Sequence, residues 1–113
     1  MISSDADIDP STIIFHPELV NIYGCTIGKN CRIGSFVEIK PHVNIGNKVK
    51  IEPFTFIPEG VIIEDEVFIG AGVTIVGGLT IGKGARIGAG SVVVGPVKAG
   101  ETVFGNPAQK VKS

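Results

Sequence analysis

Two histidines and two cysteines are the side chains best suited to base catalysis, nucleophilic attack or zinc binding near neutral pH. Cys25 and Cys31 lack the CxxC spacing of a zinc site, and a disulfide framework would need more cysteines. We therefore interpret both as reduced, buried thiols. His16 and His42 are candidates for a general base, but a histidine in a turn is more often an exposed polar residue. The sequence identifies no catalytic residue and no metal site.

The composition predicts one small, turn-rich β domain spanning residues 1–113. The chain has a mass of 11.8 kDa, 16 glycines, seven prolines and a net charge of −1, which argues against an electrostatically driven nucleic-acid binder. The longest uncharged run, residues 67–82, is shorter than the roughly 20 apolar residues of a membrane span. Residues 1–10 show neither the basic nor the apolar region of a secretory signal, so a cytoplasmic, reducing location is expected.

A six-residue repeat runs through most of the sequence. Every sixth residue from 27 onward is a β-branched aliphatic: Ile27, Ile33, Ile39, Ile45, Ile51, Ile57, Ile63, Ile69, Ile75, Ile81, Ile87 and Val93. A second ladder of small or medium residues lies two positions earlier: Cys25, Cys31, Val37, Val43, Val49, Thr55, Val61, Val67, Val73, Leu79, Ala85, Ser91 and Val97. A period of six fits neither a helix, at about 3.6, nor a plain strand, at about 2. It fits a short strand with two inward side chains, followed by a corner.

Three such strands and three corners would close a triangular coil of 18 residues, with the two ladders inside it. The predicted fold is therefore all-β: a parallel β-helix with about four regular coils over residues 25–97. Residues 1–24 are expected to form an irregular coil or cap, because the ladder there runs Ile8, Ile14, Val20 and then takes a seven-residue step. Residues 98–113 are expected to close the last coil. Glycines that follow ladder residues are interpreted as corners that need either a positive φ or a close backbone approach.

These ladders resemble those of the hexapeptide-repeat acyltransferases, over about residues 8–110. The resemblance implies a left-handed β-helix, acetyl-CoA as co-substrate and a homotrimer. The run VFGNPAQKV at 103–111 resembles the terminal signature of the family, which implies that Asn106 and Pro107 lie beside the adenine end of coenzyme A. HPELVNIYGCTIG at 16–28 and TFIPEGVIIEDEVFIG at 55–70 resemble the subgroup that N-acetylates nucleotide-linked amino-sugars for surface polysaccharides such as lipopolysaccharide.

The sequence departs from this subgroup just after VFIG at 67–70. Members typically continue there into a long substrate-binding loop and another coil, and many have His at the position of Ala71. Here the six-residue period continues unbroken, as though the loop and about one coil were missing. Both a natural short paralogue and an engineered truncation fit this pattern.

Residues 18 apart should stack, and one corner then presents almost no side chains. Its four levels are Gly34-Ser35-Phe36, Glu52-Pro53-Phe54, Gly70-Ala71-Gly72 and Gly88-Ala89-Gly90. We predict that the upper two levels hold the pantetheine arm through Ala71, Gly72, Ala89 and Gly90, and lead toward Asn106 and Pro107; tight corners alone would also explain the glycines. At another corner, His42 and Glu59 could approach each other.

Cations for the phosphates of coenzyme A are expected near the C-terminal coils, and Lys110 is assigned to the cofactor site. The available residues are Lys83, Arg86, Lys98, Lys110 and Lys112, although a solvated face would also explain them.

Two functions are compatible with these features. The first is an acetyl-CoA-dependent N-acetyltransferase that acts on the amino-sugar of a nucleotide-linked sugar without a covalent enzyme intermediate. The second is a catalytically silent trimeric scaffold, with or without coenzyme A binding. Either would form a homotrimer to cover four outward aromatics, Phe36, Phe54, Phe56 and Phe68, unless the terminal segments cover them.

Overall fold

Short parallel strands, most of them two residues long, form three walls in the computed structural model, which describes residues 1–111. Wall 1 contains β1 (Asp7–Ile8), β4 (Thr26–Ile27), β7 (Asn44–Ile45), β10 (Ile62–Ile63) and β13 (Thr80–Ile81). Wall 2 contains β2 (Ile13–Ile14), β5 (Arg32–Ile33), β8 (Lys50–Ile51), β11 (Phe68–Ile69), β14 (Arg86–Ile87), β16 (Thr102–Gly105) and β17 (Ala108–Lys110). Wall 3 contains β3 (Asn21–Ile22), β6 (Glu38–Ile39), β9 (Phe56–Ile57), β12 (Thr74–Ile75) and β15 (Val92–Val93).

Residues 18 apart lie side by side on each wall, which confirms the three-sided coil. On wall 1, Ile27 pairs with Ile45, Ile45 with Ile63 and Ile63 with Ile81, in a single file. The stacked coils give a prism of about 40 × 22 × 21 Å. No helix among residues 1–111 has the length and apolar character that crossing a membrane requires.

The two ladders form the core, as predicted. None of the twelve residues from Ile27 to Val93 in the first ladder exposes more than 3% of its surface. The second ladder is also buried, except for the half-buried Leu79. Its two hydroxyl side chains are accommodated because Thr55 Oγ1 donates to the Gly70 carbonyl at 3.1 Å and Ser91 Oγ to the Gly88 carbonyl at 2.7 Å.

The first coil differs from the ladder predicted for it. Ile22, rather than Val20, is the inward strand residue of wall 3 and pairs with Ile39. Val20 is buried two positions earlier. The 3-10 helix Pro17–Leu19 lengthens the corner between β2 and β3 and moves the inward position along the chain. The six-residue period therefore fails at this corner, although the coil itself is complete.

Residues 98–111 extend wall 2 and then reverse. β16 pairs in parallel with β14, and β17 pairs with β16 in the antiparallel direction. Val103 continues the inward file beyond Ile87 and is buried. The reversal occurs at Asn106 and Pro107, which are joined by a cis peptide bond.

Two different corner positions explain the predicted glycines. The residue directly after an inward isoleucine lies against the next coil: a Cβ on Gly70 would be 2.6 Å from the Ala89 nitrogen. The left-handed φ occurs two residues later, as at Gly72, where φ is +69°. Glycine after the ladder residue is thus explained by close approach and not by a positive φ. Six other residues adopt the left-handed conformation without being glycine: Asn30, Phe36, His42, Lys48, Phe54 and Glu66.

Candidate functional site

The corner between walls 2 and 3, hereafter the glycine corner, contains the four levels predicted from the 18-residue spacing. On its upper two levels, Ala71, Gly72, Ala89 and Gly90 are all exposed and lie in one strip. The levels are tied together by backbone hydrogen bonds, from Gly72 N to Pro53 O at 2.9 Å and from Gly90 N to Ala71 O at 2.8 Å. Among residues 1–111, the Ala71 and Ala89 amides donate no backbone hydrogen bond.

The upper end of the glycine corner meets the closing segment. Phe104 covers Gly88, since a Cβ on that glycine would lie 2.5 Å from Phe104 Cδ1. The Gly105 amide donates to Ser91 Oγ at 3.1 Å, which fixes the start of the terminal turn. Asn106 and Pro107 follow directly and are exposed. The structure therefore brings these two residues to the end of the strip formed by Ala71, Gly72, Ala89 and Gly90.

The lower two levels carry a stacked aromatic pair. The rings of Phe36 and Phe54 are 5.0 Å apart between centroids, with an interplanar angle of 14°. They are 52% and 65% exposed, so neither terminal segment covers them within residues 1–111. Phe56 and Phe68 are half-buried, and the Arg86 guanidinium lies 4.9 Å above the Phe68 ring. Only one pair of the four outward aromatics is therefore strongly exposed.

A pocket of about 370 Å³ lies on the wall 2 side of these lower levels. It is lined by Phe15, His16, Arg32, Gly34, Ser35, Lys50, Ile51, Glu52 and Pro53. The corner after β2 supplies its floor, and β5 and β8 supply its side. The pocket and the bare strip thus share one corner, on successive levels about 4.8 Å apart.

Two family models match the repeated part of the chain. The model described as bacterial transferase hexapeptide (six repeats) matches residues 42–77 and 60–95, and the model described as hexapeptide repeat of succinyl-transferase matches residues 24–52. Together they span the regular coils from residue 24 to residue 95. The chain belongs to the hexapeptide-repeat transferase family. This membership, with three parallel walls, confirms the predicted left-handed β-helix.

Three solved structures that share the fold are acetyltransferases. Soybean serine acetyltransferase is 33% identical over 95% of this chain and 43% of its own, with a TM-score of 0.69. The acetyltransferase domain of PglB from Neisseria gonorrhoeae is 26% identical over 98% of this chain and 57% of its own, with a TM-score of 0.58. The perosamine N-acetyltransferase of Caulobacter crescentus, at 23% identity, 99% and 56% coverage and a TM-score of 0.59, shares the fold.

The chain spans between 43% and 57% of the length of these solved structures. A comparison with curated proteins gives no match. In this family member, the six-residue period passes through residues 67–82 without an inserted loop, because Ile69 pairs with Ile87 and Ile75 with Val93 in the regular register.

The two histidines occupy different environments. His16 lines the pocket, and its Nδ1 is 3.6 Å from Glu18 Oε2. His42 lies at the corner between walls 3 and 1 with a φ of +64°, and its amide donates to the Gly24 carbonyl. Among residues 1–111, His42 and Glu59 form no ion pair. Of the two, His16 is therefore the one that lines the pocket beside the glycine corner.

Several cations predicted for the cofactor site already have partners. Lys110 Nζ lies 3.9 Å from Glu101 Oε2, and Lys83 Nζ lies 3.7 Å from Glu66 Oε1. Arg86 covers Phe68, Lys98 is exposed, and Lys112 lies outside the described residues. The sequence analysis did not select Arg32 and Lys50, although their spacing of 18 on the outward side of one wall could have identified them.

The cysteines are unpaired and buried, as predicted. Burial raises the pKa of the Cys25 thiol to about 11 and also raises the pKa of Cys31. Thiolate chemistry near neutral pH is therefore disfavoured at both. Within residues 1–111, no three His, Cys, Asp or Glu side chains are arranged to hold a metal ion.

Proposed function

We propose that this chain binds acetyl-CoA along the glycine corner and belongs to an N-acetyltransferase of nucleotide-linked amino-sugars. The observation that carries the proposal is the exposed strip of Ala71, Gly72, Ala89 and Gly90, which ends at the turn of Asn106 and Pro107. An extended pantetheine arm needs such a strip, because its amides can reach bare backbone only where side chains are absent. A second structure of the PglB acetyltransferase domain, 26% identical to this chain, holds acetyl coenzyme A.

The substrate class rests on the two runs at 16–28 and 55–70 that resemble amino-sugar N-acetyltransferases. The perosamine N-acetyltransferase, which shares the fold, binds CoA and GDP-perosamine. In the proposed reaction, the neutral amine attacks the thioester carbonyl, a C–N bond forms and the C–S bond breaks. Coenzyme A leaves as a thiol after the amine has lost a proton.

Two further features accompany this proposal. The exposed Phe36–Phe54 pair supports a homotrimer, since a second copy would remove the rings from water. Lys110 is retained as a weaker candidate for a cofactor phosphate because Glu101 competes for its charge. The buried, unpaired thiols are compatible with a reducing compartment, and a cytoplasmic location remains a prediction.

The binding proposal is tested by titrating CoA and acetyl-CoA calorimetrically. Ala89→Leu places a branched side chain in the strip and should weaken CoA binding roughly tenfold or more, about 1.4 kcal/mol. Ala99→Leu is the matched control, because Ala99 is exposed at a different corner. Absence of CoA binding by the unmodified chain would refute the proposal.

A silent scaffold is the second candidate, and two observations favour it. Many family members have His where this chain has Ala71, and the loop that should follow is missing. Thiol release from acetyl-CoA across a panel of nucleotide-linked amino-sugars separates the two candidates. CoA binding without thiol release would support the scaffold. Sedimentation tests the trimer, which should have three times the 11.8 kDa mass of one chain.

A further inference from the structure

The pocket beside the lower glycine corner carries an unusual pair of charges. Arg32 and Lys50 are direct neighbours on β5 and β8, in parallel register on the outward side of wall 2. Neighbouring strands are about 4.8 Å apart, and like charges placed opposite each other destabilise a sheet. Among residues 1–111, no carboxylate forms an ion pair with either side chain. A bound anion would compensate both charges.

The other lining residues narrow the ligand class. Ser35 and His16 offer further hydrogen-bond donors at the pocket, and Glu52 is its one acidic lining residue. With His16 neutral, the lining residues carry a formal charge of +1: two cations against one carboxylate. The planar arginine fork suits two phosphate oxygens, whereas lysine acts as a compact point charge. Two cations side by side therefore fit a diphosphate better than a neutral sugar.

An aromatic surface completes the pocket. Phe15 lines the pocket and is 52% exposed, so a flat ring face is available beside the cations. Stacking against a planar base is the interaction that such a face provides. The volume of about 370 Å³ is within the range of small-molecule sites. Charge and aromatic surface together match a nucleoside diphosphate.

We infer that the pocket of Phe15, His16, Arg32, Ser35 and Lys50 binds the nucleoside diphosphate part of the acceptor substrate. The inference rests on the proposed function, because it needs a nucleotide-linked acceptor. It assigns coenzyme A and the acceptor to different levels of the glycine corner: the bare strip at 70–72 and 88–90, and the pocket at 34–35 and 52–53. Coenzyme A also carries a diphosphate, so the experiment must distinguish the two sources.

The test is calorimetric titration of UDP, dTDP, GDP and pyrophosphate, each in the absence and in the presence of saturating CoA. At least one nucleoside diphosphate should bind, and CoA should not displace it. Arg32→Gln should weaken that binding roughly tenfold or more, and Arg32→Lys should do so less, because it keeps the charge but loses the fork. Both variants should bind CoA within about twofold of the unmodified chain.

Arg86→Gln is the matched control. Arg86 is an outward arginine of the same wall, but it covers Phe68 and does not line the pocket. It should change nucleotide affinity by less than about twofold. The melting temperature checks folding: Arg32→Gln should melt no lower than the unmodified chain, because it removes a like-charge contact.

Five outcomes would overturn the inference or the proposed function on which it rests. CoA binding without binding of any nucleoside diphosphate would refute the pocket assignment and leave the proposed function standing. If CoA displaces the nucleotide and Arg32→Gln also loses CoA binding, the pocket would be assigned to coenzyme A. An equal loss of nucleotide affinity in Arg86→Gln would mean that wall 2 attracts the nucleotide in general and that the pocket does not bind it specifically. If CoA also fails to bind, the proposed function fails. Pyrophosphate binding that is unchanged in Arg32→Gln would refute the pocket assignment separately.

Discussion

A strand residue's contribution to the stability of this fold depends on which side of the strand its side chain occupies. In β10, Ile62 and Ile63 are chemically identical neighbours, but Ile62 is 44% exposed on the outside and Ile63 is 1% exposed inside. The inward side chain is packed between Ile45 and Ile81 of the same file. Truncating the two residues therefore separates burial from every other property of the strand.

Ile63→Ala should lower the free energy of unfolding by about 2–5 kcal/mol, because it leaves a cavity between tightly packed coils. Ile62→Ala should lower it by less than about 1 kcal/mol, since most of its surface already meets water. Urea denaturation of both variants measures the difference. Equal losses would contradict the inward file.

Asp9 should make the first coil sensitive to acid. The Ser11 hydroxyl and amide donate to its carboxylate, at 2.6 and 3.0 Å, and these bonds lower the pKa of Asp9 from its ordinary value of 3.8. A lowered pKa stabilises the fold above the unfolded pKa, and this contribution disappears as pH falls through the folded pKa.

Asp9→Asn should therefore lower the melting temperature near pH 6, and its difference from the unmodified chain should shrink steadily below about pH 4. Thermal unfolding between pH 2.5 and 6 measures this. Ser11→Ala, which removes the hydroxyl donor, should show part of the same pH dependence. A difference that stays constant over this range would contradict the assigned cause.

The corner is the element that repeats, and its left-handed position is where the sequence is least constrained. Lys48 adopts a φ of +57°, its amide donates to the Lys29 carbonyl at 2.8 Å, and it is exposed. A side chain at such a φ is strained, but the fold requires the conformation whichever residue is present.

Lys48→Gly should raise the free energy of unfolding by up to about 1 kcal/mol, because relief of strain exceeds the added entropy of the unfolded chain. Lys48→Val should lower it by more than about 1 kcal/mol, since a β-branched residue tolerates this φ least. Denaturant unfolding of both variants measures these two changes in the free energy of unfolding, which should have opposite signs. Two shifts of the same sign would mean that the corner relaxes.

The regular elements could be predicted because each one repeats the same local requirement. Eleven inward isoleucines and one valine at a spacing of six leave only one way to bury them all. Ile27, Ile45, Ile63 and Ile81 lie in file as that spacing requires. The first coil could not be predicted in detail, because the 3-10 helix Pro17–Leu19 breaks the period. Because of that break, Ile22 and not Val20 is the inward strand residue of wall 3.

The candidate site was only partly predictable for a related reason. The 18-residue spacing gave the stacked levels of the glycine corner, where the backbone alone matters. Arg32 and Lys50 obey the same spacing on the wall, but an outward cation has no signature until a pocket surrounds it. Phe15 and His16, which form the pocket floor, come from the irregular coil, where counting by six fails.

The whole molecule is a stack in which each coil pairs with the coils next to it. Deleting residues 46–63 removes one turn and joins Ile45 to Glu64, so every later strand keeps its wall. Because stability in such stacks is nearly a sum over neighbouring units, the shortened chain should still unfold cooperatively, with a smaller free energy and denaturant slope.

Deleting residues 46–66 is the control for this prediction. It also removes the corner and joins the inward Ile45 directly to the inward Val67, which leaves no residues to turn the chain. That variant should show no cooperative transition. Circular dichroism during urea titration compares the two deletions. Equal behaviour would mean that the coil is not the structural unit.

The reversal of the chain at β17 has a consequence for association in solution. Stacked parallel strands present an edge that identical molecules can extend, which would join them head to tail into fibres. On wall 2, β17 runs opposite to all the strands below it, so an incoming parallel strand meets a mismatched pattern of donors and acceptors. β17 is only three residues long, but at the top of wall 2 it thereby discourages the head-to-tail polymerisation that the repeated parallel strands would otherwise allow.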